Sequence, residues 1–152
     1  MITVEKADPR SPDARYLTEK LSAELAFITG DSGNSHFSLA SLEGKRAVWA
    51  VARDSNGNAT GCGAIRPMAS DIAELKRMYS DRSRPGIGQA LLTFLEACSR
   101  ELGYREIWLE TRRVNQKAVQ FYERNGYVRI ENYGPYVGRE EAVCLAKSLS
   151  AG

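Results

Sequence analysis

The sequence predicts a single α/β domain built on one mixed sheet. Its 152 residues and 43% hydrophobic content suit one ordinary core. Three short strands follow one another in the middle of the chain, as in an antiparallel meander. A strand, an amphipathic helix and another strand come next, which is the order of a crossover between parallel strands. Because no internal repeat or linker interrupts this order, residues 1–152 are interpreted as one domain.

The first half of the chain is predicted to contain four strands and one long helix. Ser11-Pro12-Asp13 is typical of a helix N-cap with proline at the first helical position, and Asn56-Gly57 predicts a tight turn. The polar segment 28–44 is long for a connector, which favours a binding loop or lid. The predicted elements are strand Ile2–Ala7, a helix from Ser11 to about Phe27, one or two helical turns within Phe37–Leu42, and strands Arg46–Arg53, Thr60–Arg66 (ended by Pro67) and Asp71–Tyr79.

The second half alternates helices with strands. Apolar residues at Leu91, Leu95, Cys98 and Leu102 share one face of a helix. The predicted elements are a helix Gln89–Leu102 with Gly103 at its C-cap, strand Glu106–Glu110, a helix Asn115–Asn125 closed by Gly126, strand Tyr127–Ile130, a loop Asn132–Tyr136 and strand Glu141–Ala146. The predicted order is therefore β-α-(α)-β-β-β-α-β-α-β-β.

Composition argues against several classes of protein. The net charge of +2 is too small for a general nucleic-acid binder. Cys62, Cys98 and Cys144 are odd in number and widely spaced, so we expect buried apolar residues rather than disulfides, a zinc site or a catalytic thiol. The sequence contains neither a signal-peptide pattern nor an apolar run of membrane length, which predicts a cytoplasmic protein without a membrane partner.

The stretch Ala73–Leu95 passes from a strand through a glycine-rich turn into a helix. Gly86 and Gly88 lie where the helix begins, and there the free backbone N–H groups and the helix dipole favour a bound anion. The turn matches neither a nucleotide P-loop nor the dinucleotide-binding pattern. It is interpreted as a diphosphate cradle, with a plain connector as the alternative. Three arginines are expected to ring it: Arg77, Arg82 and Arg84.

The turn resembles the acyl-CoA-binding motif Arg/Gln-x-x-Gly-x-Gly/Ala of the GCN5-related N-acetyltransferases, the GNAT superfamily. Gly86 and Gly88 match its two glycines, whereas Ser83 occupies the position of its Arg/Gln and Arg84 follows one residue later. The stretch Asn115–Tyr127 is similar to a second family pattern, N-x-x-A-x-x-[FL]-Y-[EK]-x-x-G-[FY]. Both motifs occur in the family's order, so the resemblance implies a GNAT-like acyl-CoA N-acyltransferase fold in a single N-acetyltransferase domain.

The resemblance also implies acetyl-CoA as the cosubstrate, bound by three segments. In the family, the fourth and fifth strands separate at a bulge, and pantetheine pairs with strand amides there. The implied cofactor-binding residues are Met78, Tyr79 and Ser80 on the strand, Arg84, Pro85, Gly86, Ile87, Gly88 and Gln89 at the turn, and Asn115, Ala118 and Tyr122 on the later helix. Asn115 also fits a plain helix N-cap, and the two roles are compatible.

Two residues are implied to carry the chemistry of amine acetylation, which requires no metal. Tyr122 matches the family's general acid toward the coenzyme A sulfur, and a phenol of reference pKa about 10 can protonate a thiolate of about 8.5; a core aromatic is the alternative. Glu74 is the candidate base, with a solvated edge carboxylate or a salt bridge to Arg66 or Arg77 as the alternative. Glu110 is a second candidate base, for which a surface salt bridge is favoured, and water could replace either carboxylate.

The acceptor site is the least defined part of the sequence. The candidate substrate-binding residues are His36, Phe37, Arg66, Glu74 and Tyr136. His36 also fits a polar loop residue, and Arg66 a salt-bridge partner. Tyr136 lies between the last two strands, beside the acceptor site of the family, but also fits a packed surface aromatic. The amine itself stays open between a small molecule and a peptide.

Three functions are compared. The first is transfer of an acetyl group from acetyl-CoA to a primary amine, by direct attack in a ternary complex. The second is a non-catalytic acyl-CoA-binding or sensing module of the same fold, which the presence of Tyr122 disfavours. The third is an arginine-lined nucleic-acid-binding domain, which the low net charge disfavours. A homodimer is compatible with the family resemblance.

Overall fold

Seven strands and three α-helices form the part of the chain that the computed structural model describes, residues 1–31 and 38–149. The elements are β1 (Thr3–Lys6), α1 (Pro12–Thr29), a 3₁₀ helix (Leu39–Leu42), β2 (Val48–Arg53), β3 (Ala59–Ala69), β4 (Ile72–Ser80), α2 (Ile87–Glu101), β5 (Glu106–Arg112), α3 (Gln116–Arg124), β6 (Val128–Ile130), a second 3₁₀ helix (Gly134–Tyr136) and β7 (Ala142–Ser148). The strands form one mixed sheet in the order β1-β2-β3-β4-β5-β7-β6. The predicted fold class and element order are confirmed.

Local signals begin and end α1. The Ser11 side chain accepts a hydrogen bond from the Ala14 N–H at 3.2 Å, as expected of an N-cap. The helix continues past the predicted end to Thr29, because the left-handed residue that closes it is Gly30, at φ +80°.

The predicted end of β3 is wrong. β3 does not stop before Pro67 but continues to Ala69, and Pro67 pairs with Ala73 of β4. Pairing between β2 and β3 ends at Val48–Ile65. Pro67 therefore lies where β3 has a neighbour on one side only, and a proline is tolerated on such an edge because no ladder hydrogen bond is lost.

The parallel pair predicted in the middle of the chain is present but very short. β1 to β4 are antiparallel, and β4 and β5 are parallel. β4 and β5 pair from Ile72–Glu106 to Glu74–Trp108, a stretch that we name the seam. Beyond Glu74, β4 pairs with β3 alone, and we name the opening between β4 and β5 the gap.

A β-bulge interrupts β4 beside the gap. Cys62 and Ala64 are two positions apart in β3, whereas their partners Tyr79 and Lys76 are three positions apart in β4. The extra residue places Arg77 in the left-handed region, at φ +59°. The separation of the two strands at a bulge agrees with the expectation from the family resemblance.

Two glycines of β3 allow the bulged strand and α2 to lie close to it. A Cβ atom at Gly61 would lie 2.6 Å from the carbonyl oxygen of Tyr79, and one at Gly63 would contact Met78 Sδ. The Met78 side chain could move away, but the backbone at Tyr79 could not do so without shifting β4, so Gly61 in particular fixes the path of β4 along the gap.

The two faces of the sheet differ beside the gap. α2 and α3 pack on one face, over an apolar core that includes Leu75 of β4 and Leu109 of β5. α1 packs on the other face, over β2 and β3. Because side chains alternate along a strand, Lys76 and Glu110 lie on the face opposite to Leu75 and Leu109. Charged side chains therefore border the gap on the α1 side.

The three cysteines are buried and free of disulfides, as predicted. Burial raises the pKa of the Cys62 thiol to about 12, which makes this thiol unreactive at neutral pH. No helix among the described residues is long and apolar enough to cross a membrane. Within residues 1–31 and 38–149, no three His, Cys, Asp or Glu side chains group so as to hold a metal ion.

Candidate active site

A cleft of about 450 Å³ lies between the end of β4, the start of α2, and helices α1 and α3. We name it the outer cleft. Its volume falls in the range that cofactors and small molecules occupy, roughly 300–1,000 Å³. Most of the predicted cofactor-binding residues line it: Met78, Tyr79, Ser80, Gly86, Gly88, Gln89, Asn115, Ala118 and Tyr122.

The start of α2 forms one wall of the outer cleft. Gly86 is the N-cap, at φ +89°, a conformation that glycine adopts without strain. The first hydrogen bond of the helix runs from the Ala90 N–H to the Gly86 carbonyl, at 2.9 Å. The N–H groups of Ile87, Gly88 and Gln89 precede this bond and can therefore bind an anion.

Three predicted cofactor-binding residues do not line the outer cleft. Arg84 and Pro85 are exposed beside the turn. The Ile87 side chain is buried in the core under α2, so this residue has only its backbone to offer a ligand.

The arginines near the turn do not all surround it. Arg77 is only 7% exposed, and its guanidinium donates to the Thr18 carbonyl at 3.2 Å and to Ser22 Oγ at 2.8 Å. The expectation that Arg77 rings the turn is wrong, because the bulge turns this side chain toward α1. Arg82 does line the outer cleft and forms an ion pair with Glu24 at 2.9 Å.

Tyr122 lies where the outer cleft meets a second cavity. Asn115 caps α3 by accepting a hydrogen bond from the Ala118 N–H at 3.4 Å, and the rings of Phe121 and Tyr127 pack edge-on against Tyr122. None of the described residues forms a hydrogen bond with the Tyr122 hydroxyl. Burial raises the pKa of Tyr122 above its usual value, so the phenol stays protonated at neutral pH.

The second cavity, of about 140 Å³, occupies the gap between β4 and β5. We name it the inner cavity. Met78, Ala118 and Tyr122 line both spaces, so the two are adjacent. The other polar and charged residues that line the inner cavity are Thr29, Asp31, Lys76, Arg77, Glu110, Thr111, Arg112, Asn115 and Tyr136. A ligand that extends past Tyr122 from the outer cleft would end among these side chains.

Arg112 joins three carboxylates at the far side of the inner cavity. It lies 3.0 Å from Asp31, 3.6 Å from Glu110 and 3.4 Å from Glu141. Burial raises the pKa of Glu110, although the positive charge of Arg112 opposes the shift. Glu110 therefore accepts a proton more readily than an exposed glutamate does.

Tyr136 reaches the inner cavity from the 3₁₀ helix before β7. Its ring is buried, and its hydroxyl accepts a hydrogen bond from Lys76 Nζ at 2.8 Å. Its predicted role in substrate binding stays a prediction, and its position beside the cavity is compatible with that role.

Glu74, the candidate base, lines neither the outer cleft nor the inner cavity. Nε and Nη2 of Arg66 both lie 2.9 Å from one carboxylate oxygen of Glu74, and the Tyr133 hydroxyl donates to the other oxygen at 2.7 Å. This is the salt-bridge alternative that the sequence left open for Glu74 and Arg66. The candidates His36 and Phe37 lie outside the described residues.

Three charged residues of the inner cavity were not among the predicted site residues: Asp31, Lys76 and Arg112. The sequence could have indicated Lys76 as a site residue, because it lies two positions after Glu74 on the strand that leads to the glycine turn. Asp31 and Arg112 come together from the end of α1 and the end of β5, and no local sequence pattern predicts such a contact.

A mixed sheet that opens at a bulge beside a glycine-capped helix defines the class of acyl-CoA-dependent N-acyltransferases. Comparison with known families places the chain within that class. The model of the acetyltransferase (GNAT) family matches residues 13–127. The chain belongs to this family, and it is an acetyl-transferring enzyme.

Individual relatives agree with this assignment. An uncharacterized N-acetyltransferase of Escherichia coli K12, YjgM, is 31% identical over 147 residues, covering 81% of this chain and 86% of the relative. A solved structure of a presumed acyl-CoA N-acyltransferase from Klebsiella pneumoniae superposes with a TM-score of 0.83 at 27% identity, covering 98% of each chain. A GNAT acetyltransferase from Elizabethkingia anophelis, solved with acetyl-CoA bound, has the same fold, with a TM-score of 0.71 at 15% identity and 97% of each chain covered.

Proposed function

We propose that the protein transfers an acetyl group from acetyl-CoA to a primary amine of a small molecule or peptide, by direct attack of the amine in a ternary complex. The observation that carries this proposal is that the outer cleft and the inner cavity are adjacent and share Tyr122 in their walls. One space has the features of a cofactor site, the other is small and lined with charged groups, and a phenol lies where they meet.

The outer cleft has the groups that acetyl-CoA requires. The N–H groups of Ile87–Gln89 would bind the diphosphate at the start of α2, with Arg82 beside them. β4 has no strand partner toward β5 beyond Glu74, so the backbone of Met78–Ser80 would pair with the amides of pantetheine as an added strand does. Acetyl-CoA supplies the thioester that the acceptor amine attacks.

Tyr122 is proposed as the general acid. Tyr122 lines both spaces, and its hydroxyl has no hydrogen-bond partner among the described residues, so it can donate to a ligand. The raised pKa keeps its proton available, and a departing thiolate takes that proton as the bond to the acetyl group breaks.

Glu110 is better placed than Glu74 to receive the proton of the amine. Both oxygens of Glu74 are occupied by Arg66 and Tyr133. Glu110 lines the same cavity as Tyr122, and burial brings its pKa closer to neutral pH, where a general base is most effective. We therefore propose Glu110 as the base, either directly or through a water molecule.

A thermal shift experiment tests the cofactor assignment. Acetyl-CoA, coenzyme A, ATP and NAD are compared side by side, since a ligand that binds the folded state raises the Tm by mass action. We expect a rise with the two CoA species only. A rise with ATP alone, or none with CoA, would contradict the proposed use of the outer cleft.

Turnover is tested next with a panel of amines, and coenzyme A release is followed with a thiol reagent. Acetylated amine in the product mixture supports the proposed transfer. Binding of acetyl-CoA without acetylation of any amine would favour the non-catalytic acyl-CoA-binding module instead.

A further inference from the structure

Lys76 has an unusual position in the inner cavity. It is the residue before the bulge, and it lies past the seam, which ends at Glu74–Trp108. Lys76 and Glu110 follow these two paired residues by the same number of positions on parallel strands. Their side chains therefore lie on the same face of the sheet, on opposite sides of the gap.

The charge of Lys76 lacks a carboxylate partner among the described residues. Its Nζ donates to a neutral group, the Tyr136 hydroxyl, at 2.8 Å, and no Asp or Glu oxygen of residues 1–31 and 38–149 lies within 4.0 Å of it. Burial lowers the pKa of Lys76, with Glu74 and Glu110 opposing the shift from farther away.

The other cations around the inner cavity are already engaged. Arg112 pairs with Asp31, Glu110 and Glu141. Arg77 points to α1, where the Thr18 carbonyl accepts its hydrogen bond. Lys76 is half-buried, and a partly desolvated cation without an acidic partner carries a desolvation cost that an anionic ligand would offset. Lys76 is therefore the group of this cavity that most favours an anion.

We propose that Lys76 binds a carboxylate of the acceptor, and that the acceptor is a small amino-carboxylate. This inference rests on the proposed function, because the amine must lie near Tyr122 for transfer to occur. The acceptor would span the gap, with its carboxylate at Lys76 on β4 and its amine toward Glu110 on β5. Tyr136 holds the ammonium group of Lys76 in place for this contact.

The opposite charges across the gap also give the acceptor a direction. An amine placed at Lys76 would be repelled, and a carboxylate placed at Glu110 would be repelled as well. Lys76 and Glu110 therefore favour one orientation of the acceptor and disfavour the reversed orientation. Simple alkylamines lack the group that Lys76 binds and should be poor acceptors.

The test compares matched acceptors on two variants. The acceptors are glycine, alanine and β-alanine, each beside its carboxamide, with aminomethylphosphonate to separate a carboxylate from another anion. The variants are Lys76→Met, which keeps the length of the side chain without its charge, and Lys76→Arg, which keeps the charge. Lys45→Met is the control, because Lys45 is exposed and lines neither cavity.

We expect the wild-type protein to prefer carboxylates over carboxamides by about 10- to 100-fold in kcat/KM, the usual effect of a charge-assisted hydrogen bond. Lys76→Met should abolish this preference mainly through KM and leave the carboxamides and the acetyl-CoA thermal shift unchanged. Lys76→Arg should retain part of the preference, and Lys45→Met all of it. A preference that survives in Lys76→Met, or a wild-type preference for carboxamides or the phosphonate, would overturn the inference.

A second measurement does not depend on turnover. Binding of the same amino acids is measured by calorimetry in the presence of coenzyme A, on the wild-type protein and on Lys76→Met. If carboxylate binding requires Lys76 but no amine is acetylated, the proposed transfer is contradicted and the carboxylate site is supported. If amines are acetylated without any dependence on Lys76, the transfer is supported and the carboxylate site is contradicted.

Discussion

The outer cleft and the inner cavity are built from different kinds of groups. Besides its side chains, the outer cleft offers two sets of backbone groups, the N–H groups at the start of α2 and the edge of β4 that has no partner toward β5. The inner cavity is formed by charged side chains from α1, β4 and β5 and by Tyr136. Backbone groups are available in any sequence that adopts this fold, whereas side-chain charge depends on the sequence. We therefore expect the first region to serve the cofactor and the second to select the acceptor.

The largest effect is expected at Tyr122, where the two regions meet. Tyr122→Phe should lower kcat by roughly 10²- to 10⁴-fold, the usual contribution of a general acid, with little change in acetyl-CoA affinity. Steady-state kinetics and calorimetry measure the two quantities. Tyr16→Phe is a suitable control, because Tyr16 is 54% exposed on α1. Equal kcat in Tyr122→Phe and wild type would remove this hydroxyl from the mechanism.

A change under the bulge should affect the outer cleft through β4. In Gly61→Ala the new methyl group meets the Tyr79 carbonyl oxygen, so the strand must move, and the free energy of unfolding should fall by about 1–3 kcal/mol. Acetyl-CoA affinity should fall with it. Thermal denaturation with and without acetyl-CoA measures both. Gly44→Ala is the control, because nothing lies within 4 Å of that position; equal Tm values in the two variants would contradict the tight packing of β4 on β3.

A comparison of Gly86→Ala with Gly57→Ala distinguishes the effect of backbone strain on stability from an effect on cofactor binding. Both have positive φ, +89° and +84°, and a Cβ atom would meet little at either position. Alanine at each should lower the free energy of unfolding by about 1–2 kcal/mol. Only Gly86→Ala should also weaken acetyl-CoA binding, since Gly57 lies in the β2–β3 turn. Equal Kd values for acetyl-CoA in the two variants would exclude the start of α2 as the anion site.

The smallest effect on stability is expected for Glu110→Gln. This substitution should raise the Tm, whereas Glu74→Gln should lower it. The folded-state pKa of Glu110 is raised, so its ionisation destabilises the fold as pH rises above the usual glutamate pKa and through the raised value. Glu110→Gln should therefore raise the free energy of unfolding at pH 8 by about 1 kcal/mol, a Tm increase of about 2–4 °C. It should also lower kcat/KM for the acceptor.

Glu74→Gln provides the comparison for this prediction. It weakens the pair with Arg66 and should lower the Tm, with less effect on turnover, because Glu74 lines neither cavity. A Tm decrease in Glu110→Gln together with unchanged turnover would identify Glu110 as a structural residue.

Most of the fold and of the outer cleft could be predicted, because their signals are local. Ser11, Gly86 and Asn115 are helix caps, and their roles depend on neighbours within a few residues. The end of β3 at Pro67 was predicted wrongly, since a strand tolerates a proline only where no second strand pairs beside it, and that depends on residues far away in the sequence.

The inner cavity was harder to predict for a different physical reason. One extra residue in β4 reverses the alternation of side chains, and it turns Arg77 away from the glycine turn. The contact of Asp31 with Arg112 joins the ends of two elements that are far apart in sequence. Neither feature produces a periodic pattern in the sequence, so both can be recognised only from the three-dimensional structure.

The short seam between β4 and β5 also bears on how the protein avoids self-association. An unpaired strand edge at the outside of a sheet is a template for pairing with other chains. Here the unpaired edge of β4 lies inside the sheet, between two strands that the seam and the helices hold together. An edge enclosed in this way is not presented at the outside of the sheet, where strands of other chains pair. The same opening would take a linear ligand such as the pantetheine arm of the proposed cofactor.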